Sequence, residues 1–312
     1  MLYAAVLVIL FLLSSTNLII KEQERQVYRI SVIIDDDKDA NYVNFRKGME
    51  QAAMEWNADV SFLTLYEAGS HEQQMERINR EQQDGADALV VVPVDEERFA
   101  AEMSGGAATI PFVAVNTGMG GSRAAALLSV DYEEMGRLLG RQIEAGHEKG
   151  TPVWILSASY KDSASRHFSD GIEEVLKDAG FPVTYSVNAR EPSFLAETTS
   201  LTAARQTILV AVDQQSLEWA ASLLRLDRAG ASSVEELYGR GTTLSVLNDL
   251  DRRWITGICV TDDYTMGYLS IRQAVAAIQG DVSQGETEFQ SYYITKQELY
   301  QPQYEKMLYP VE

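Results

Sequence analysis

The run Asp35-Asp36-Asp37-Lys38-Asp39-Ala40-Asn41 offers side-chain oxygens at close spacing, which is the raw material of a calcium loop. An EF-hand loop, however, needs glycine at its sixth position and a bidentate glutamate at its twelfth, where this chain carries Ala40 and Arg46. The run reads instead as the polar loop at the carboxyl end of a first strand, where open α/β sheets bind ligands. That rule makes Asp39, Asn41 and Tyr42 candidate ligand contacts, with Tyr42 supplying an aromatic face. It adds Asn116 at the end of a fourth strand, and Asp213 and Gln214 after the strand that ends at Val212.

Catalytic motifs are missing. There is no Gly-x-Ser-x-Gly elbow, no phosphate loop ending in Gly-Lys-Ser/Thr and no complete dinucleotide glycine pattern. Gly118-Met119-Gly120-Gly121 and Gly239-Arg240-Gly241 read as loops. His71, His147 and His167 stand far apart and none opens a His-Glu-x-x-His motif, so neither a zinc site nor any other cofactor is expected. The chain is therefore read as a binding protein and not an enzyme.

Composition narrows the partners. The 46 acidic against 26 basic residues give a formal charge of −20 over 312 residues, a field that repels nucleic acid and anionic lipid. No basic run is long enough to follow a phosphate backbone, so nucleic acid is not an expected partner. The single cysteine, Cys259, lies in the apolar run Ile255 to Val260 and is expected to behave as a small buried hydrophobe.

Met1 to Ile20 is nearly all apolar, with no charge before Lys21. Twenty helical residues reach about 30 Å, the thickness of a bilayer core. The uninterrupted run Met1 to Leu13 also has the length of a signal-peptide apolar region, and Ser14 to Thr16 are small enough for cleavage. Both readings put the remaining chain outside the cytoplasm. No cysteine follows this segment to carry a lipid, so the expectation is a retained membrane helix or release after cleavage.

Beyond residue 27, short β-branched runs such as Ile30 to Ile34, Ala88 to Val92, Val153 to Leu156 and Ile208 to Val212 alternate with amphipathic stretches. That is the pattern of parallel sheets covered by helices. The pattern also repeats. Phe45-Arg46-Lys47-Gly48-Met49-Glu50 is echoed by Phe168-Ser169-Asp170-Gly171-Ile172-Glu173. Asp131-Tyr132-Glu133-Glu134-Met135-Gly136 is echoed by Asp262-Asp263-Tyr264-Thr265-Met266-Gly267. Two similar lobes follow, with the chain passing between them more than once.

The order of these motifs resembles the type I periplasmic sugar-binding proteins of the ribose- and galactose-binding kind. Gly85 to Asp95, Ile110 to Asn116 and Asp262 to Tyr268 carry the likeness, which covers roughly residues 28–300. The resemblance implies two doubly wound parallel-sheet lobes joined by three hinge crossings, near Asp131, near Thr261-Asp262 and near Tyr292 to Ile294. The expected division is a leader at 1–26, a first lobe at 27–131 with 262–292, and a second at 132–261 with 293–312. It implies capture of a small polar ligand, a sugar, for an ABC transporter permease or, alternatively, presentation to a membrane sensor kinase. It also brings in Arg166 as a donor to ligand hydroxyls, and Thr261 and Asp262 at a hinge. Two positions depart from the family pattern: Gly239-Arg240-Gly241 stands where an aspartate is usual, and Thr261 where a glutamine is usual.

Overall fold

A computed structural model of the chain describes residues 2–15, 26–115, 123–158, 162–187, 207–226, 234–281 and 285–310. In chain order the first part runs α1 (Leu2–Ser15), β1 (Tyr28–Ile33), α2 (Val43–Trp56), β2 (Ala58–Leu63), α3 (His71–Gln83) and β3 (Ala88–Val91). It continues with α4 (Glu96–Ser104), β4 (Phe112–Val115) and β5 (Ala126–Val130). The second part runs α5 (Tyr132–Gly146), β6 (Val153–Ser157), α6 (Ser163–Asp178), β7 (Val183–Val187), β8 (Thr207–Ala211) and α7 (Gln214–Leu226). There follow β9 (Val234–Arg240), α8 (Leu244–Asp251), β10 (Gly257–Val260), α9 (Asp263–Ile278), β11 (Glu286–Phe289), β12 (Tyr292–Thr295) and α10 (Pro302–Leu308).

The strands form two six-stranded sheets, ordered β2-β1-β3-β4-β5-β11 and β7-β6-β8-β9-β10-β12. Every pairing is parallel except that of β12 with β10, which is antiparallel. Strands β3, β4, β5, β6 and β8 are buried along their whole length, which is why they read as continuous apolar runs and not as alternating ones. In each sheet the strand order reverses beside its first strand, β1 or β6, and that reversal opens a crevice at the carboxyl ends of the strands.

The internal repeat has a steric cause. Helix α5 leaves the first sheet and packs on α6 of the second, while α9 leaves the second and packs on α2 of the first. At both crossings the backbones touch through glycine. A Cβ on Gly48 would lie 1.9 Å from the Tyr264 carbonyl oxygen, and one on Gly267 1.9 Å from that of Phe45. Their counterparts behave alike: Gly171 faces the Glu133 carbonyl at 2.0 Å and Gly136 the Phe168 carbonyl at 2.2 Å. Asp131 and Asp262, the paired acids of the second echo, both cap helix N-termini, accepting from the backbone N–H of Glu134 and Thr265.

The sequence reading of Gly239-Arg240-Gly241 as a loop is corrected, because Gly239 and Arg240 end the central strand β9. Two adjacent acids, Glu235 and Glu236, hide its apolar character. Gly239 is required there, since a Cβ would stand 2.7 Å from the Ala211 carbonyl oxygen of β8. At the end of the chain, Met307 and Leu308 of α10 bury in the second lobe's core. Asn44 of α2 donates to both of their carbonyls at 3.3 Å, and Lys47 donates to that of Pro310 at 2.9 Å. The C-terminal segment thus fastens one lobe to the other.

Helix α1 keeps Tyr3 to Phe11 exposed, so it is no part of either core. Its 14 residues rise about 21 Å. Among the described residues no helix is long and apolar enough to cross a membrane.

Candidate functional site

The carboxyl ends of the two sheets face each other across a cavity of about 210 Å³. The first lobe supplies Asp35 and Asp36 after β1, Asn41 and Tyr42 before α2, and Val92-Pro93 after β3. The second supplies Ala158 after β6, Asp162, Asp213 and Gln214 after β8, and Arg240 at the end of β9. Tyr132, Thr261 and Asp263 come from the crossings themselves. The lobes also meet directly: Gln214 Nε2 donates to Asn41 Oδ1 at 2.6 Å, and the Ser163 N–H donates to the Val94 carbonyl at 3.2 Å.

Of the residues singled out from sequence, Asn41, Tyr42, Asp213, Gln214 and Thr261 line this cavity. Asp39 sits apart, exposed and paired with Arg46 at 2.9 Å. Arg166 is exposed and donates to Ser163 Oγ at 3.0 Å, away from the cavity lining. Asp262 is spent on its helix cap, accepting from both the N–H and the hydroxyl of Thr265. Asn116 lies outside the described residues.

Sequence reasoning missed Asp35, Asp36, Tyr132, Asp162, Arg240 and Asp263. The rule that ligands sit at strand carboxyl ends points at Asp35 and Asp36 as directly as at Asn41, and the second echo points at Tyr132 and Asp263, while Asp162 and Arg240 lie outside it. Its first member caps a helix, and its second, Tyr132 or Asp263, turns into the cavity.

The wall is densely hydrogen-bonded. Tyr42 donates its hydroxyl to Asp35, and Asn41 donates to Asp36. Asp213 accepts from the Ala158 N–H at 2.7 Å, the Ser216 N–H at 2.7 Å and Ser157 Oγ at 3.1 Å. Asp263 accepts from Thr261 Oγ1 at 2.8 Å and Thr242 Oγ1 at 3.3 Å. Arg240 lies over the Tyr132 ring, 5.0 Å from its centre, and donates to the Val212 carbonyl at 2.6 Å and to Ser165 Oγ at 3.1 Å. Cys259, buried as expected, forms part of the cavity floor. Among the described residues no cluster of His, Cys, Asp or Glu is arranged to hold a metal ion.

Burial lifts the carboxyls of Asp36, Asp213 and Asp263 above their ordinary range, and pushes Asp35 up to about 7. Around Asp35 stand Tyr42, whose hydrogen bond opposes the rise, Asp162 and Asp36, which add to it, and Arg240, which opposes it. Between about pH 4 and pH 7 the folded chain therefore holds a proton at Asp35 that the unfolded chain has released. Stability conferred by this group falls as pH rises through that window, by up to about 1.4 kcal/mol per pH unit. Asp35→Asn is expected to flatten the slope and to be more stable than the parent at about pH 8. Urea denaturation across this range measures it, and an unchanged slope in the variant would mean that Asp35 is already ionised in the fold.

The sequence model of the periplasmic binding protein domain matches residues 30–281. The chain belongs to this family. No curated protein sequence matches it significantly. Solved structures resemble this periplasmic binding protein throughout both lobes. A carbohydrate transporter solute-binding protein from Agrobacterium radiobacter, in complex with D-arabinose, is 18% identical with a TM-score of 0.78, over 90% of this chain and 98% of its own. An ABC transporter solute-binding protein from Burkholderia graminis, also with D-arabinose, is 17% identical with a TM-score of 0.75, over 89% of this chain and 98% of its own. A chain of a XylFII–LytSN complex is 16% identical with a TM-score of 0.72, over 87% of this chain and 99% of its own.

Proposed function

We propose that this periplasmic binding protein captures a small polar ligand, a sugar, between its lobes and delivers it to a membrane ABC transporter. One observation carries the reading: both lobes and two crossings contribute hydrogen-bonding groups to a single cavity. A ligand held by groups from both lobes stabilises their closed arrangement, because only differential affinity shifts such an equilibrium. At about 210 Å³ the cavity is smaller than the roughly 300–1,000 Å³ of sites for drug-sized molecules, which favours a monomeric ligand. Fixed carboxylates and amides suit a polyol, since a missing ligand hydroxyl leaves buried partners unpaired. The two arabinose complexes of the same fold support the choice of sugar.

The binding lobes work outside the cytoplasm on this reading and perform no catalysis, and the apolar segment ahead of residue 21 anchors them or is cleaved. A second reading, presentation of the ligand to a membrane sensor kinase, draws support from the same fold in the XylFII–LytSN complex.

Thermal melting against a panel of monosaccharides, polyols and nucleosides tests the proposal. A true ligand at 100 times its dissociation constant adds about 2.7 kcal/mol, a shift of several degrees. A flat response to every sugar and polyol would overturn it.

A further inference from the structure

The charge in the cleft does not balance. Among the described residues lining it, six acids, Asp35, Asp36, Glu96, Asp162, Asp213 and Asp263, stand against one cationic side chain, Arg240. That guanidinium is turned towards the Val212 carbonyl and Ser165 Oγ and stacked on Tyr132, and its nearest carboxylate contact is Asp162 at 3.8 Å. Asp35, Asp36, Asp213 and Asp263 take their hydrogen bonds from neutral donors: a phenol, an amide, hydroxyls and backbone N–H groups. Those bonds fix the carboxylates in place without neutralising them.

A neutral sugar entering such a cavity satisfies the acceptors and leaves the like charges opposed at low dielectric. A ligand that brings its own positive charge turns the same carboxylates into an attractive wall, and a charge-assisted bond is about twice as strong as a neutral one. We propose that the cleft selects a small polyhydroxylated ligand carrying a protonated amine, an amino sugar in chemical class. The inference rests on the sugar-binding reading above and names the charge of its ligand. The raised carboxyl of Asp35 adds a signature: an ammonium group drives off its proton on binding.

Matched pairs decide the matter. D-glucosamine against D-glucose and D-galactosamine against D-galactose differ only in an amine for a hydroxyl at one carbon, and putrescine presents amines without the ring. Calorimetry at about pH 7, in two buffers of different ionisation enthalpy, is expected to give at least about tenfold tighter binding for an amine member. Proton release should accompany it, and Asp263→Asn should reduce that advantage about tenfold or more. Glucose or galactose binding as tightly as its amine twin overturns the inference and leaves the proposed function standing. Binding of putrescine alone keeps the charge preference and overturns the sugar reading. Silence from both series overturns the amino-sugar inference, and the melting panel then decides the proposed function by itself. The comparison within each pair uses the unaltered protein and holds whether or not the variant folds.

Discussion

Gly267→Ala is expected to destabilise the first lobe by about 3 kcal/mol, at the upper end of the cost of overpacking. In an exposed helix the same change would stabilise by up to about 1 kcal/mol, because glycine is the poorer helix former, so the sign itself reports the contact. The new methyl would lie 1.9 Å from the Phe45 carbonyl oxygen and 3.0 Å from its Cα, which are backbone atoms that no rotamer change can move aside. Relief requires α9 and α2 to separate, and that loosens Phe45, Met49, Met266 and Ile271, all buried in one core. A fall in melting temperature of roughly 6–12 °C corresponds to this energy for a lobe of this size. Gly146→Ala, at the end of α5 with nothing within 4 Å of its added Cβ, is the control and should melt no lower than the parent. The double variant with Gly48→Ala should cost less than the sum of its parts, since one separation relieves both clashes. Equal melting of Gly267→Ala and the parent would show that the helices do not cross at these glycines.

The same glycines explain why the fold was legible. The spacing from Phe45 to Gly48 and from Phe168 to Gly171 recurs because each lobe solves one packing problem, a helix returning from the other sheet pressed against the first helix of its own. Fully buried parallel strands gave apolar runs that could be read without alternation. Strand β9 was not readable in this way. Its acidic pair and its Gly-Arg end look like a loop, and only the neighbours β8 and β10 make a strand of them.

The cavity lining was legible in outline and not residue by residue, for a related reason. Strand ends and helix starts can be found from sequence, but which of two adjacent residues caps the helix and which turns inward depends on the turn. Asp262 and Asp263 are chemically identical in sequence. One is bonded to Thr265 and the other to Thr261 and Thr242 at the cavity. Arg166 stood in the expected loop yet lies on the outer side of α6, while the guanidinium that reaches the cavity comes from β9. Spacing alone carries no information on such a choice.

That guanidinium carries the other large effect. Arg240→Met keeps an unbranched apolar chain against Tyr132 and Phe168 but removes the donors to Val212 and Ser165 and the charge that faces Asp162. Breaking a mostly buried pair from one side costs about 3 kcal/mol, since the remaining groups stay desolvated. The cost should also depend on pH, and its sign can be worked out. Arg240 lowers the proton affinity of Asp35, Asp213 and Asp263, so without it the folded state binds protons more tightly than before. Stability then falls more steeply as pH rises, and the deficit is smallest near pH 5 and largest near pH 8. Arg240→Lys separates the two contributions. It restores a charge and so should flatten the pH dependence, but a lysine ammonium lacks the planar fork that reaches Val212 and Ser165 together while stacking on Tyr132. Denaturant titrations of the three proteins at both pH values provide the measurement. A deficit in Arg240→Met of the same size at each pH would mean that lost hydrogen bonds account for all of it, and that Arg240 does not hold the cleft carboxylates in their charged form.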